Sequence, residues 1–201
     1  MNNFRIENKY KVEFFKLDEV YKFLGNNFAK ILYPKRFIKS IYFDNKDFSL
    51  YHESVEGTIP RKKIRIRTYS NENILNLDKK FNLEIKINSV EGRYKTVKKS
   101  VNHIKFLKEG ILDKDYGHIF PVIEVCYYRE YYQILNLRLT LDTKINYRVF
   151  NKNRSPLIDD VCIMEVKSNN VDNNNYIDEN LFFMKTRFSK YCEGIESLNL
   201  I

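Results

Sequence analysis

Charged side chains recur on alternate residues in several segments of this sequence. The pairs are Glu7 and Lys9, Arg65 and Arg67, Glu84 and Lys86, Arg93 and Lys95, and Glu165 and Lys167. Residues two apart on a β-strand point to the same face, so each pair would share one face of a strand. Arginine binds phosphate oxygens with a two-pronged guanidinium group, lysine adds positive charge, and carboxylates favour Mg²⁺ or Mn²⁺. This pattern is typical of a site for a phosphorylated anion with a divalent cation.

Two interpretations of these charged faces are open. The first is an antiparallel sheet with one solvated face, on which the charges are incidental. The second is a closed or nearly closed barrel with the charges inside, where they must be paired, hydrated or matched by a ligand because an isolated buried charge is costly. The repeated Arg-x-Arg and Glu-x-Lys spacing favours the second interpretation, since solvated faces usually carry Thr, Ser, Gln and mixed charge.

The composition excludes several other kinds of site. The chain has 201 residues and a net charge of +9, which favours an anionic partner. Its 6 glycines are too scattered to form a P-loop or a Rossmann turn. Its 3 cysteines and 3 histidines lack the spacing of zinc ligands, and the cysteines are expected to be buried apolar groups in a reducing compartment.

The sequence also bears on cellular location. The first residues lack the apolar run of a signal peptide, and no stretch approaches the ~20 apolar residues of a transmembrane helix. We therefore predict a cytoplasmic protein without a transmembrane segment. No internal repeat or linker is evident, so residues 1–201 are predicted to form a single domain.

Hydrophobic periodicity predicts that most of the chain is β-structure. Alternation or extended apolar sequence indicates strands over 4–14, 36–43, 61–69, 81–88, 92–99, 122–133, 137–149 and 161–168. The strands 81–88 and 92–99 are predicted to form a hairpin.

Helical spacing is found in fewer segments. It predicts helices over 17–29 and 179–198, and a short helix or turn over 47–56 closed by Gly57. Ser100 is predicted to cap a further short helix that ends near residue 109. Polar, turn-like sequence predicts loops over 70–80, 151–160 and 169–180.

Eight short pieces of the sequence carry a resemblance through their order. They are Arg-x-Glu-x-Lys-Tyr at 5–10, Ser-Ile-Tyr-Phe-Asp-Asn at 40–45, the Arg-x-Arg strand at 61–69, the hairpin with Leu-Glu-Ile-Lys at 83–86 and Gly-Arg-Tyr-Lys at 92–95, Pro121 to Arg129, Arg-Leu-Thr-Leu-Asp-Thr at 138–143, Met-Glu-Val-Lys at 164–167, and Phe-Ser-Lys-Tyr-Cys-Glu-Gly at 188–194. In this order they resemble the polyphosphate-polymerase (VTC) domain, a branch of the triphosphate tunnel metalloenzymes, which also include the CYTH proteins.

The resemblance implies an α+β fold, in which an eight-stranded antiparallel β-barrel forms a triphosphate tunnel with helices packed outside. It also implies roles for residues of this sequence. Lys9, Arg65, Arg67 and Lys86 are expected to be catalytic, and substrate binding is expected of Lys95, Arg129, Arg138 and Lys190. The metal, Mn²⁺ or Mg²⁺, is expected on Glu165 with help from Glu7. Glu84 is a further candidate, either to help Glu165 bind the metal or to orient its own basic neighbours. Asp142 is a candidate to line the tunnel.

One departure from the superfamily pattern bears on the reaction. The wider superfamily has Glu-x-Glu-x-Lys on its first strand, whereas this sequence has Arg5 in place of the first Glu. The loss of a carboxylate argues against a two-metal triphosphatase or cyclase, and an added arginine suits a longer polyanion. We therefore expect an ATP-dependent polyphosphate polymerase with ATP and polyphosphate as partners.

Alternative functions remain open at this point. One is an inorganic triphosphatase on the same fold, and another is a non-catalytic tunnel that binds polyphosphate or nucleotide. A nucleic-acid-binding β-protein is disfavoured, because the aromatic residues mostly alternate to the side opposite the charges. Tyr10, Tyr69 and Tyr127 are expected to pack in the barrel, with a contact to adenine left open for one of them. A regulatory or membrane partner protein also remains open.

Overall fold

The computed structural model describes residues 6–70, 80–168, 177, 179–181 and 183–201. The strands within these residues are β1 Ile6–Glu13, β2 Lys30–Asp44, β3 Arg61–Ser70, β4 Phe81–Ser89, β5 Gly92–Val101, β6 Ile111–Asp113, β7 Gly117–Ile134, β8 Leu137–Val149, β9 Leu157–Ile158, β10 Val161–Ser168 and β11 Met184–Lys185. The α-helices within them are α1 Leu17–Asn26, α2 Ser49–Glu56, α3 His103–Glu109 and α4 Lys190–Ser197. A 3₁₀ turn at Phe14–Lys16 precedes α1.

The strands follow the order β11-β1-β10-β8-β7-β2-β3-β4-β5, and β6 and β9 pair with β7 and β8 respectively. Strand β10 pairs antiparallel with both β1 and β8, and β4 pairs antiparallel with both β3 and β5. This arrangement confirms the α+β class and the largely antiparallel sheet. The strand order ends at β11 and β5, and the eight-stranded barrel remains a prediction. The structure does not test the single domain over 1–201.

The chain divides into two compact units that share the long strands. The first unit comprises Met1–Phe37, Tyr127–Ile145 and Ile158–Phe188. Its core lies between α1 and the apolar faces of the strands, because every second residue of these strands is apolar. The buried core residues are Tyr10, Val12, Val20, Phe23, Leu24, Ile134, Leu137, Leu139, Leu141, Cys162, Met164, Val166, Ile177 and Leu181.

The second unit comprises Ile38–Cys126, Asn146–Leu157 and Ser189–Ile201. One of its buried clusters contains Ile41, Phe43, Leu50, Ile64, Ile66, Phe81 and Ile119. Gly194 allows α4 to pack closely against the sheet in this unit. A Cβ atom at this position would lie 2.7 Å from Cδ1 of Ile123 and 2.8 Å from Cδ1 of Tyr147. We therefore expect any larger residue there to displace the helix.

Asp44 connects two helices of the second unit to the end of β2. Its buried carboxylate accepts the backbone N–H groups of Leu50 and Tyr51, each at 3.0 Å. These bonds satisfy two of the unpaired N–H groups in the first turn of α2. The hydroxyl of Tyr191, on α4, donates to the same carboxylate. One side chain thus fixes both helices against β2.

The sequence predicted most elements closely, and the structure corrects some of their bounds. The prediction for 137–149 and 161–168 coincides with β8 and β10. The predicted strand 36–43 is longer at its N-terminal end and forms β2. Strand β7 begins at Gly117, so Pro121 lies within the strand instead of opening it. The predicted loop over 151–160 contains the short strand β9.

The predicted helix over 179–198 is interrupted in the structure. Residues 179 and 180 are helical as predicted, but Met184–Lys185 form β11, which pairs with β1, and α4 begins at Lys190. Its N-cap is Ser189, whose hydroxyl accepts the N–H of Cys192 at 3.4 Å. Pairing with a neighbouring strand and a local cap thus override the apolar spacing.

The predicted cap at Ser100 is also wrong. Ser100 lies inside β5, and α3 is capped by Asn102, whose side chain accepts the N–H of Lys105 at 3.2 Å. Arg5 and most of the predicted loops 70–80 and 169–180 lie outside the described residues. No helix of the described part of the chain is long and apolar enough to cross a membrane.

Candidate functional site

A charged cluster lies on β3, β4 and β5 in the second unit, around the carboxylate of Glu84. This side chain is only 3% exposed. Its Oε2 accepts hydrogen bonds from Nε of Arg65 at 2.9 Å and from Nη2 of Arg65 at 2.6 Å. Its Oε1 accepts a hydrogen bond from Nζ of Lys95 at 2.8 Å. A guanidinium nitrogen of Arg67 lies 3.8 Å from Oε2. We call Arg65, Arg67, Glu84 and Lys95 the Glu84 cluster.

The strand register produces this cluster directly. Arg65 lies opposite Glu84 in the pairing of β3 with β4, so that both side chains leave the same face of the sheet. Ile64 and Ile66 occupy the other face and are fully buried in the apolar core. The alternation in the sequence therefore predicts correctly which side of β3 is charged.

Two residues of β2 hold the arginines and were not predicted from the sequence. The hydroxyl of Ser40 accepts a hydrogen bond from Nε of Arg67 at 2.8 Å, and the hydroxyl of Tyr42 accepts one from Nη1 of Arg65 at 2.8 Å. Both lie in the segment 40–45 that carries part of the family resemblance. Their spacing of two residues matches that of the two arginines, and this was the available signal.

Tyr42 is in turn supported by the helix α4. Its ring stacks on the ring of Tyr191 with a centroid distance of 5.1 Å. Because Tyr191 is bonded to Asp44, a buried network extends from the helix cap to the Arg65 guanidinium. This network orients Arg65 without being part of the charged surface.

The charges of the cluster shift two pKa values. Burial raises the pKa of Glu84, but Arg65 and Arg67 outweigh burial and lower it to about 2. Burial also raises the pKa of Tyr42, and Arg65, Arg67 and Lys63 outweigh it and lower the pKa to about 8. Glu84 is therefore ionised at neutral pH, and Tyr42 is expected to ionise near pH 8.

We expect an absorbance titration at 295 nm to show one tyrosine that ionises near pH 8. The cause is the positive charge of Arg65 and its neighbours, which favours the tyrosinate form of Tyr42. The variant Tyr42→Phe should lack this step, and Tyr69→Phe should keep it. A step near pH 8 that persists in Tyr42→Phe would show that the assignment is wrong.

The sequences of β3, β4 and β5 are strongly cationic. Glu84 is their only acidic residue among many arginines and lysines. Lys63, Lys86 and Lys95 lie side by side in one row across the three strands. Like charges directly opposite one another destabilise a sheet, so this row favours a bound anion.

Lys190 lies at the start of α4 in the same unit. It directly follows Ser189, whose hydroxyl accepts Nζ of Lys63 at 2.6 Å. Its side chain is half-buried. The predicted substrate-binding residue Lys190 is thus the neighbour in sequence of Ser189, which contacts Lys63 of the lysine row.

A second charged cluster lies on β1 and β10 in the first unit. Nζ of Lys167 lies 2.8 Å from Oε1 of Glu165 and 3.5 Å from Oε2 of Glu7. Nζ of Lys9 lies 4.0 Å from Oε1 of Glu7 and donates to the carbonyl of Phe188 at 2.8 Å. In the strand register, Lys9 lies opposite Glu165, and Glu7 lies opposite Lys167. We call these four charged residues the Glu165 cluster.

Arg129 forms a bidentate ion pair in this unit. Its Nε and Nη2 donate hydrogen bonds to the two carboxylate oxygens of Asp142 at 2.5 Å and 2.7 Å, and the Asp142 side chain is 1% exposed. Burial opposes the charge of Arg129, but Asp142, Tyr127 and Glu165 favour it and raise its pKa well above the ordinary value. Arg129 is therefore charged at any physiological pH.

We expect Asp142→Asn to lower the free energy of unfolding by about 3–5 kcal/mol, since it leaves the Arg129 charge buried without its partner. Urea denaturation measures this change. The control Glu109→Gln breaks an exposed pair with Lys105 at 3.8 Å and should cost at most about 1 kcal/mol. If both variants lost the same free energy of unfolding, the buried pair would not be important for stability.

The Glu165 cluster contains the two carboxylates, Glu165 and Glu7, that were predicted to hold a metal. Burial raises the pKa of Glu165, but Arg129, Lys167 and Lys9 outweigh burial and hold the pKa below its usual range. Glu165 and Glu7 already share one positive group, Nζ of Lys167. The described residues contain no group of three or more His, Cys, Asp or Glu that could hold a metal. One or two carboxylates completed by phosphate oxygens are, however, a usual Mg²⁺ site.

The structure brings the predicted site residues together in two groups. Lys9, Glu7, Glu165 and Arg129 belong to the first unit, and Arg65, Arg67, Lys86, Lys95 and Lys190 belong to the second. Arg138, in the first unit, is exposed and lies opposite Lys167 in the strand register. Of the tyrosines predicted to pack, Tyr10 and Tyr127 are buried, whereas Tyr69 is partly exposed beside Arg67.

The comparison with protein families decides the family. The model described as the VTC domain matches residues 4–118 and 111–199, which together are almost the whole chain. The chain belongs to the VTC domain family. A comparison with curated proteins gives no match.

The fold of this VTC-domain protein is also found in solved structures. A candidate adenylate cyclase from Vibrio parahaemolyticus is similar with a TM-score of 0.57 and 11% identity, over 92% of this chain and 94% of that one. A candidate adenylyl cyclase from Hippeastrum, described as having a dominant triphosphatase activity, gives a TM-score of 0.54 and 12% identity, over 96% of each chain. At these identities the similarity concerns the fold.

Proposed function

We propose that this VTC-domain protein is an enzyme that acts on triphosphates, namely an ATP-dependent polyphosphate polymerase. It transfers the γ-phosphate of ATP to a growing polyphosphate chain. The observation that carries the proposal is the cationic composition of β3, β4 and β5, in which one buried carboxylate lies among many arginines and lysines. Such a surface attracts polyanions, and membership in the VTC family favours polyphosphate.

In this proposal the Glu84 cluster and the lysine row bind phosphate. Arg65 and Arg67 bind the γ-phosphate, since their positive charges stabilise the charge that develops during transfer. Glu84 keeps Arg65 in place, because it is ionised and contacts two nitrogens of the guanidinium group. Lys86, Lys95 and Lys190 bind the rest of the polyanion.

The first unit contributes the remaining roles. Glu165, helped by Glu7, would hold Mn²⁺ or Mg²⁺, which when bound neutralises phosphate charge as a Lewis acid. Lys9, Arg129 and Arg138 bind phosphate oxygens.

The reaction needs little proton transfer. A terminal oxygen of the polyphosphate chain, already ionised, attacks the γ-phosphorus of ATP. The bond between this phosphorus and the oxygen that bridges it to the β-phosphate breaks, and ADP leaves with the electron pair. The protein therefore mainly positions the phosphates and neutralises their charge.

The proposal keeps the eight-stranded tunnel that the family resemblance implies. The shielding of the charged groups supports it, since Glu84 and Glu165 are only 3% and 12% exposed. A solvated outer face would leave such carboxylates open to water.

The stoichiometry of products tests this function against its alternatives. The purified protein is incubated with ATP and Mn²⁺, and ADP and free phosphate are measured over time. The polymerase should produce ADP with much less than one free phosphate per ADP. One free phosphate per ADP would indicate a triphosphatase, and the absence of ADP would indicate a binding protein. Either of these results would contradict the proposal.

A further inference from the structure

Two arginines and two tyrosines of the first unit form a group of cation–π and aromatic contacts. The guanidinium carbon of Arg36 lies 5.3 Å from the ring centroid of Tyr33 and 5.6 Å from that of Tyr131. The same carbon of Arg138 lies 6.0 Å and 5.9 Å from these rings. The two rings meet edge to face at 5.5 Å. We call these four residues the aromatic–arginine cluster.

Among the described residues, no carboxylate forms an ion pair with the arginines of this cluster. Neither Arg36 nor Arg138 forms an ion pair within the described residues, whereas Lys35 pairs with Glu130 at 2.6 Å. Two guanidinium groups that share the same rings repel each other, and exposed cation–π contacts contribute only about 0.5–1 kcal/mol each. The cluster is therefore suited to an anionic ligand.

The cluster also offers an accessible aromatic surface. Tyr33 is 45% exposed, and Arg138 is exposed, while Tyr131 is buried. Nucleobases stack on tyrosine rings and on guanidinium planes because every base has a π-face. A ligand that is both anionic and aromatic can pair with the arginines and stack on the exposed ring, and a nucleotide is such a ligand.

We propose that the aromatic–arginine cluster binds the nucleoside end of ATP. The base stacks on Tyr33 and Arg36, and Arg138 binds the phosphate nearest the ribose. This inference rests on the proposed use of ATP, and it assigns to Tyr33, Arg36 and Tyr131 a role that the sequence did not indicate. Arg138 links the cluster to the phosphates, because it is already among the residues proposed to bind them.

Calorimetric titration tests the inference without any need for turnover. ATP and inorganic tripolyphosphate are each titrated into the wild-type protein, Tyr33→Ala, Arg36→Ala and the control Lys35→Ala. We expect both cluster variants to weaken ATP binding about fivefold or more, as expected for the loss of a base stack, and to leave tripolyphosphate binding within about twofold. The control should change neither ligand, since Lys35 is paired with Glu130.

Arg36→Lys refines the result, because it keeps the charge and removes the planar stacking surface. It should weaken ATP binding while tripolyphosphate binding stays as in the wild type. Equal weakening of both ligands in Tyr33→Ala and Arg36→Ala, or no effect on ATP, would overturn the inference.

The inference and the proposed reaction can fail separately. A protein that binds ATP through this cluster but forms no polyphosphate would contradict the polymerase and support the nucleoside site. A protein that forms polyphosphate with unchanged ATP affinity in both cluster variants would contradict the nucleoside site alone. Unfolding midpoints of the variants, measured in urea, show that the comparison is made on folded protein.

Discussion

Replacing Arg65 and Arg67 together with alanine is expected to reduce polyphosphate synthesis at least about a thousandfold. Arginines that stabilise the transferred phosphoryl group contribute roughly 10³–10⁵ to the rate in other phosphoryl-transfer enzymes. In this protein both guanidinium groups are held in place, Arg65 by Glu84 and Tyr42, and Arg67 by Ser40. The rate of ADP formation from ATP in the presence of Mn²⁺ measures the effect.

The double variant also removes cations from around the buried Glu84 carboxylate. Lys95 remains as one partner at 2.8 Å, so we expect the fold to be retained with lower stability. The triple variant Arg65→Ala/Arg67→Ala/Glu84→Gln removes the buried charge and should recover part of the lost unfolding free energy without recovering activity.

A matched control removes two exposed positive charges from a loop. Lys152→Ala/Arg154→Ala changes the net charge equally but lies outside both charged clusters, and it should keep near wild-type activity. Full activity in the folded Arg65→Ala/Arg67→Ala protein would show that these arginines do not act on the phosphate.

Glu165→Gln is expected to lower Mn²⁺-dependent activity about a hundredfold or more. The variant keeps the volume of the side chain but removes a charge that its cationic neighbours hold in the ionised form. A metal ion that stabilises phosphate charge contributes several kcal/mol to the transition state, and each 1.36 kcal/mol is a factor of ten in rate. Rates measured across a range of Mn²⁺ concentrations should show a weaker apparent affinity for the metal.

The fold should tolerate this substitution because the neighbours keep other partners. Arg129 remains paired with Asp142, and Lys167 remains near Glu7. Glu13→Gln is the matched control on β1, since Glu13 is exposed and forms a local ion pair with Lys16 at 3.1 Å. An unchanged Mn²⁺ dependence in Glu165→Gln would remove Glu165 from the metal site.

Local periodicity is the reason that much of the fold could be predicted. A strand with one apolar face has a period of two, so the sequence alone indicates that Ile64 and Ile66 are buried and that Arg65 and Arg67 leave the opposite face. The same rule places β8 and β10 at the predicted bounds. The pairs Glu84 with Lys86 and Glu165 with Lys167 follow from it as well.

The contacts that orient the charged groups could not be predicted, because they join residues far apart in the chain. The bond from Tyr191 to Asp44 spans 147 residues, and no local pattern of either segment indicates the other. Tyr33 and Tyr131 were missed for the same reason, since their meeting depends on the approach of two strands. The short strand β11 forms by pairing with β1 at the other end of the sequence, which explains why the predicted helix over 179–198 is interrupted.

Incorporation of labelled phosphate into long chains tests the polymerase most directly. The protein is incubated with Mn²⁺ and ATP labelled in the γ-phosphate, with Arg65→Ala/Arg67→Ala as the blank, and the products are separated on a polyacrylamide gel. We expect a ladder of labelled polyphosphate chains in the wild-type reaction and none in the blank. Label found only in free phosphate, with ADP formed, would contradict polymerisation and identify a triphosphatase.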